Sequence, residues 1–215
     1  MPSRPFPDPV VLLVNAFTQP YNNAIATART CYSSKVVTPE DVDRDDKSRA
    51  LRDAIAKSTY EAGHHTTLQH ATFQFVLEKV SRQFLWSFLH SHPFYNSEQV
   101  SQRYVAVKPD QVLTPSLEGK LLEQYAEAVA FLMQAYERLV EEVSPTAQAE
   151  YSKLFRNRRP EKEKKWALVL RRKAQEAARY VLPVATHAHL YHTISGITLH
   201  RYHRLCLQHD VPEET

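Results

Sequence analysis

Glycine is scarce in this chain, with only Gly63, Gly119 and Gly196 among 215 residues. A G-x-G-x-x-G dinucleotide turn or a P-loop needs several closely spaced glycines so that backbone amides can approach phosphate oxygens. Both are excluded. Any nucleotide bound here must be held by side chains, helix ends or a subunit interface. Cysteine is rarer still, and Cys31 and Cys206 stand far apart without metal-type spacing, so neither a disulfide framework nor a zinc knuckle is indicated. No apolar run approaches the ~20 residues that cross a bilayer. The first residues, Met1-Pro-Ser-Arg-Pro5, lack the apolar stretch of a secretory signal. The expected compartment is therefore the cytoplasm. Charge is close to balanced, with 27 basic against 24 acidic residues and a net charge of +3, too small an excess to indicate nucleic-acid binding.

What is present suits one soluble domain, expected to span 1–215, with 43% apolar residues. Pro9 to Phe17 is an apolar, β-branched run that reads as a buried strand. Tyr21 to Tyr32 reads as a helix. Thr38-Pro39-Glu40-Asp41 carries the signals of a second helix start, running towards Gly63 as its C-terminal glycine. Gln69 to Val80 alternates Ala71, Phe73, Phe75 and Leu77 with polar residues, which predicts a half-buried strand. Ser81 to Leu89 then reads as a short buried helix, Pro93 to Ser101 as a polar loop, and Arg103 to Lys108 as a strand. Leu117 to Val143 has apolar residues at helical spacing, and Trp166–Leu182 and Val184–His209 read as two more helices divided at Pro183. The predicted class is α+β, a small antiparallel sheet packed against a large helical layer.

Three segments carry the chemistry. Gly63-His-His-Thr-Thr-Leu-Gln-His70 puts three histidines and two hydroxyls on one turn, a set of donors and acceptors for a planar ligand or a solvated helix end. His90 to Tyr104 crowds hydroxyls, amides, Glu98 and Arg103 between apolar elements. Arg103 beside Ser101 suits a phosphate clamp, because a guanidinium fork matches phosphate oxygens, although a structural ion pair would use the same residues. Arg179, in Ala177-Ala-Arg-Tyr-Val-Leu-Pro183, lies in an apolar stretch and must reach water or an anion.

Taken in order, Ala28-Arg-Thr-Cys-Tyr-Ser-Ser34, Gly63 to Phe73, Val80-Ser-Arg82, Ser101-Gln-Arg-Tyr-Val105 and Ala178-Arg-Tyr-Val-Leu-Pro183 resemble successive blocks of the flavin-dependent thymidylate synthases. The resemblance runs from about residue 10 to about residue 207. It implies a homotetramer with active sites at subunit interfaces. It also implies FAD as cofactor, and dUMP, methylenetetrahydrofolate and NADPH as ligands, with dUMP converted to dTMP. On this resemblance Glu98, Ser101, Arg103 and Arg179 fall on substrate-binding positions. His64, Thr66, His90 and His92 fall on flavin-binding ones. No catalytic nucleophile is implied, and neither cysteine has a base beside it.

Some positions depart from the family pattern. Its Arg-His-Arg triplet is His90-Ser91-His92 or Ser91-His92-Pro93 here, the Asn-x-Arg pair of the last helix is Ser195 and Ile197, and a later arginine is Cys206. The family continues through another helical segment beyond this point, so the chain is also expected to be part of a longer polypeptide. His189, His192, His200 and His203 form a stripe if 184–209 is one helix, open to three readings: metal binding, anion contact, or polar packing at an interface. Two functions follow. One is an active flavin-dependent thymidylate synthase. The other is a catalytically impaired relative that binds nucleotide or partners an active copy.

Overall fold

The computed structural model describes residues 9–91, 95–155, 163–208 and 214. It contains a four-stranded antiparallel sheet in the order β1-β2-β4-β3, formed by Val10–Ala16, Thr72–Ser81, His187–Ser195 and Tyr95–Gln99 in the order β1, β2, β4, β3. The helices are α1 (Pro20–Thr30), α2 (Asp46–Glu61), α3 (Arg82–Ser91), α4 (Gly119–Leu154), α5 (Glu163–Ala178) and α6 (Gly196–Leu205). Short 3₁₀ helices occupy His65–His70 and Arg179–Val181. The α+β class and the small antiparallel sheet expected from the sequence are present. None of the helices among the described residues is long and apolar enough to cross a membrane.

The chain divides into two compact units. One comprises Lys79–Gln83 and Gln99–His189; the other comprises Pro9–Glu78, Phe84–Glu98 and Leu190–Thr215. In the first, α4 and α5 pack against each other, and the core gathers Met133, Tyr136 and Ala178 with Val112, Val129, Leu139 and Leu182. Helix α4 extends beyond the expected end at Val143 and contains Pro145, beside which the Ser144 hydroxyl donates to the Val140 carbonyl at 2.5 Å. Packing along an apolar stripe outweighs the one backbone bond that a proline removes.

The second unit buries Ala24, Ile25 and Ala26 of α1, Phe84, Leu85 and Leu89 of α3, and Ile197 and Tyr202 of α6. Its helix α2 begins later than the sequence suggested. Thr38 does make capping-type bonds, with Asp41 Oδ2 accepting from its backbone amide at 2.9 Å, but these close only a local turn. Asp45 is the working N-cap, accepting from the Ser48 amide at 2.7 Å. The far end is as expected: Gly63 follows with φ +76°, in the left-handed region where glycine terminates helices.

Strand β1 pairs with β2 but is not buried. Val11 is 61% exposed and Leu13 57%, with a bulge between Leu13 and Asn15. An edge strand pairs on one side only, so its apolar composition does not by itself buy burial within a single chain. Three further expectations are corrected. Residues 95–99 form strand β3 rather than loop, residues 103–108 form turn and coil rather than strand, and 187–195 form strand β4 rather than helix. In β4, Ala188, Leu190, His192 and Ile194 point inward while His189 and Tyr191 are exposed, a strict period of two. The four-histidine helical stripe therefore does not exist. His189 and His192 lie on opposite faces of a strand, and His200 and His203 lie on α6.

Candidate functional site

In the unit formed by 79–83 and 99–189, Arg82 opens α3 with its backbone amide donating to the Thr186 carbonyl at 3.0 Å. Its guanidinium donates to Gln99 Oε1 at 2.7 Å and to the Val100 carbonyl, while its Nε is buried without a hydrogen-bond partner. All the acceptors so named are neutral. Burial pushes the Arg82 pKa down, and the positive charge of Arg179 pushes it further. Arg179 sits on the 3₁₀ turn after α5, with its guanidinium 5.4 Å from the ring centre of Tyr180. Two guanidiniums that feel each other's charge, one of them half-buried, lack a carboxylate partner among the described residues. Such an arrangement is unfavourable empty and favourable around an anion.

Ser101 and Arg103 lie on one tight turn. The Ser101 carbonyl accepts from the amides of Tyr104 (3.1 Å) and Val105 (3.0 Å), and its hydroxyl accepts from the Arg103 amide (3.3 Å). Arg103, unlike Arg179, already has a counter-charge: it donates to Glu176 Oε1 at 3.4 Å, and Lys173 donates to the other Glu176 oxygen at 3.0 Å. The Lys173 hydrogen bond chiefly, with Arg103 assisting, holds the Glu176 carboxyl below the ordinary range. Two cations lie near the Tyr104 ring, with Arg172 5.3 Å and Arg103 5.6 Å from its centre.

In the other unit, His64 and Thr66 are exposed on the turn that leads into the 65–70 helix. That turn is clamped from two sides. Asn23 of α1 donates to the His70 carbonyl at 2.6 Å, and the amide of Gly196, at the start of α6, donates to the Ala71 carbonyl at 2.7 Å. A Cβ on Gly196 would stand 2.9 Å from the Leu68 carbonyl oxygen, so only glycine permits this approach. The middle histidine is structural. The His65 Nε2–H donates to the Tyr60 carbonyl (3.2 Å), and its ring lies 5.0 Å from those of both Tyr60 and His200.

Glu98 is exposed on β3 and lines a cleft of about 370 Å³ with Gln74, Asn96, Ser97, Tyr191 and Thr193. Behind it, Ser97 Oγ lies 2.6 Å from Nδ1 of His192, whose ring is packed among Phe88 and Tyr202. His192 is only 2% exposed, and burial lowers its pKa to about 4.

The sequence-derived residues thus fall into groups. Ser101 and Arg103 share a turn, Arg179 is joined with Arg82, His64 shares a turn with Thr66, and Glu98 borders a polar cleft. His90 belongs to the end of α3, but its side chain, like the whole of His92, lies outside the described residues. Sequence reasoning missed Arg82 as a site residue although it stood in one of the resembling blocks. It also missed the Ser97–His192 pair, for which β4 would have had to be recognised as a strand. Among the described residues there is no group of three or more His, Cys, Asp or Glu side chains able to hold a metal ion.

Comparison with known proteins places this geometry in a wider setting. The family described as "Thymidylate synthase complementing protein" matches residues 12–215. A flavin-dependent thymidylate synthase from Clostridium tetani is 28% identical over 201 residues, covering 91% of this chain and 74% of that protein. One from Mycobacterium tuberculosis strain H37Rv is 32% identical over 127 residues, covering 59% of this chain and 46% of that one. The match thus spans about three quarters of the clostridial relative and about half of the mycobacterial one. Among solved structures, the UMP/dUMP methylase PolB from Streptomyces cacaoi, bound with 5-Br dUMP, aligns with a TM-score of 0.58 at 17% identity over 90% of this chain and 76% of its own. Thymidylate Synthase X from Helicobacter pylori, with FAD and dUMP, aligns at 0.57 with 16% identity over 96% and 87%. At these identities the structural likeness establishes the fold.

Proposed function

Because the chain belongs to the thymidylate synthase complementing protein family, we propose that it is a flavin-dependent thymidylate synthase that reductively methylates dUMP to dTMP with methylenetetrahydrofolate and FAD. The observation that carries this reading at the level of the site is the Arg82–Arg179 pair, two cations without a carboxylate among the described residues. A phosphate monoester supplies the missing negative charge, and charge-assisted bonds of this kind contribute about 1.5–3 kcal/mol each. Ser101 adds a hydroxyl and Arg103 a guanidinium shared with Glu176; Glu98, which belongs to the other unit, is an acceptor suited to the ring N–H of a pyrimidine. Their role is to bind and orient dUMP.

The residues present also fit a flavin. His64 and Thr66 stand exposed on a turn fixed by Asn23 and Gly196, and an imidazole and a hydroxyl complement the carbonyl and N–H groups of an isoalloxazine or the oxygens of its side chain. The resemblance assigns His90 and His92 to the same cofactor, and the side chain of the one and the whole of the other lie outside the described residues. When bound, FAD supplies the hydride that completes the new methyl group. With the Arg-His-Arg triplet replaced, the flavin is held by fewer guanidiniums than the resemblance implies.

The finer parts of the reading are NADPH as reductant, a single domain over 1–215, a homotetramer and a cytoplasmic location. The exposed Val11, Leu12, Leu13 and Val14 of β1 support oligomerisation, since apolar residues on both faces of an edge strand are stabilised by a cover. The alternative of an impaired nucleotide-binding relative is not adopted, because the curated relatives are flavin-dependent thymidylate synthases.

The test is direct. Protein purified without added flavin is expected to show a flavin absorption band or to acquire one with FAD. It should then release tritium from 5-tritiated dUMP in the presence of methylenetetrahydrofolate and NADPH. Protein that takes up no FAD and releases no tritium would refute the reading.

A further inference from the structure

The Ser97–His192 pair takes no part in the reading above, yet it stands directly behind the Glu98 cleft. His192 is the one polar residue among the inward positions of β4, at 2% exposure, where Ala188, Leu190 and Ile194 are its apolar counterparts. A buried imidazole is tolerated when its nitrogens are hydrogen-bonded, and one of them is engaged across to β3 at 2.6 Å. Phe88 and Tyr202 pack against the ring, with centroids at 5.6 and 5.8 Å. Ser97 itself lines the cleft, next to Glu98 in the same five-residue strand. On an edge strand so short and so polar, few apolar contacts fix the backbone, so a single strong side-chain bond has a large share in setting its position.

We propose that His192 is a positioning residue: through its hydrogen bond to Ser97 it fixes β3 and thereby sets where Glu98 stands for substrate. Whichever ring nitrogen carries the proton, the bond uses one function of the Ser97 hydroxyl and leaves the other, lone pair or proton, available to the cleft. The cleft lining holds two amides, two aliphatic hydroxyls, a phenol and one carboxylate, with no cation. It therefore suits an uncharged ring bearing both N–H donors and carbonyl acceptors, the chemistry of a cyclic imide, rather than a phosphate. This inference rests on the reading of Glu98 as a dUMP-binding residue.

The experiment compares dUMP affinity by titration calorimetry in the full chain and three variants, His192→Phe, His192→Asn and Ser97→Ala, with thermal melts run in parallel. Phe keeps the ring volume and loses the bond. Asn places an amide group near the position of Nδ1 and can restore it. Ser97→Ala removes only the hydroxyl and guards against misfolding of the core variant. The expected result is a dUMP affinity reduced about five- to tenfold in His192→Phe and Ser97→Ala, a double variant no weaker than either single one, and recovery to within about threefold in His192→Asn. If the unaltered protein binds dUMP and His192→Phe or Ser97→Ala binds it equally well, the positioning role is overturned while the functional reading stands. Affinity that tracks melting temperature across all three variants, without recovery in His192→Asn, also overturns it. If the unaltered protein fails to bind dUMP, both fall together.

Discussion

Acidification should destabilise this protein by an amount traceable to one side chain. Burial holds the His192 pKa at about 4, against 6.5 for a solvated imidazole, so protons bind the unfolded chain in preference to the folded one. The sign follows: the neutral ring's contribution is fully present above pH 6.5 and is lost progressively as pH falls from 6.5 to about 4. A difference of about 2.5 pK units at about 1.36 kcal/mol each gives about 3 kcal/mol, a large part of the 5–15 kcal/mol typical of a domain. His200 is shifted in the same direction, by burial and then by the charges of His65, Arg204, His203 and Arg201, so the wild-type curve alone would not isolate His192. Urea unfolding by circular dichroism, in wild type and His192→Phe at half-unit steps between pH 7.5 and 4, separates them. His192→Phe should be the less stable protein near pH 7, where it lacks the Ser97 bond, and should lose about 3 kcal/mol less than wild type on going to pH 4. A stability difference between the two that stays constant across that range would refute the assignment of a buried, neutral His192.

Three further outcomes follow from the geometry. Arg82→Ala and Arg179→Ala should each weaken dUMP binding about 10- to 100-fold while leaving deoxyuridine affinity unchanged, whereas Arg103→Ala, whose guanidinium is already shared with Glu176, should cost less; calorimetry with the two ligands decides it. Gly196→Ala should lower stability by about 1–3 kcal/mol in urea melts, because the added carbon meets a backbone oxygen at 2.9 Å that cannot rotate away. Asp45→Ala should lower it by about 1 kcal/mol through loss of the α2 cap, while Thr38→Ala should leave α2 intact, as read by amide exchange in residues 46–49.

The capping contrast shows how far local sequence rules reach. Thr38-Pro39-Glu40-Asp41 and Asp45 both offer cap chemistry, and Thr38 and Asp41 do make the bonds that the rule expects. Which of two such sites starts the helix depends on where the following residues can pack, and that is not a local property. Strand β4 failed for a different reason. Its period of two was present in Ala188, Leu190, His192 and Ile194, but a histidine in an inward position broke the apolar signal, and the preceding Pro183 invited a kinked-helix reading. Strand β3, Tyr-Asn-Ser-Glu-Gln, carries no apolar alternation, because it is an edge strand whose pairing to β4 is made by the backbone. By contrast β2 alternates Phe73, Phe75 and Leu77 against polar residues, and α1, α3 and α4 were legible from the same kind of pattern.

For the candidate site, the sequence singled out residues but not their electrostatic states. Arg82, Arg103 and Arg179 look alike in sequence, each an arginine within a resembling block. What separates them is the company of their guanidiniums. Arg103 reaches Glu176 from 73 positions away, while among the described residues Arg82 meets only neutral acceptors and the charge of Arg179, 97 positions on. A counter-charge supplied from so far along the chain leaves no local trace, and neither does its absence. Yet this difference separates a cation already satisfied within the protein from those to which the proposed function assigns an anion from solution. The same holds for His192, whose neutrality is a consequence of Phe88, Tyr202 and Ser97 closing around it rather than of any residue beside it. Candidate chemistry is therefore written in short motifs, but the protonation and charge balance that turn it into binding are set by contacts between distant segments.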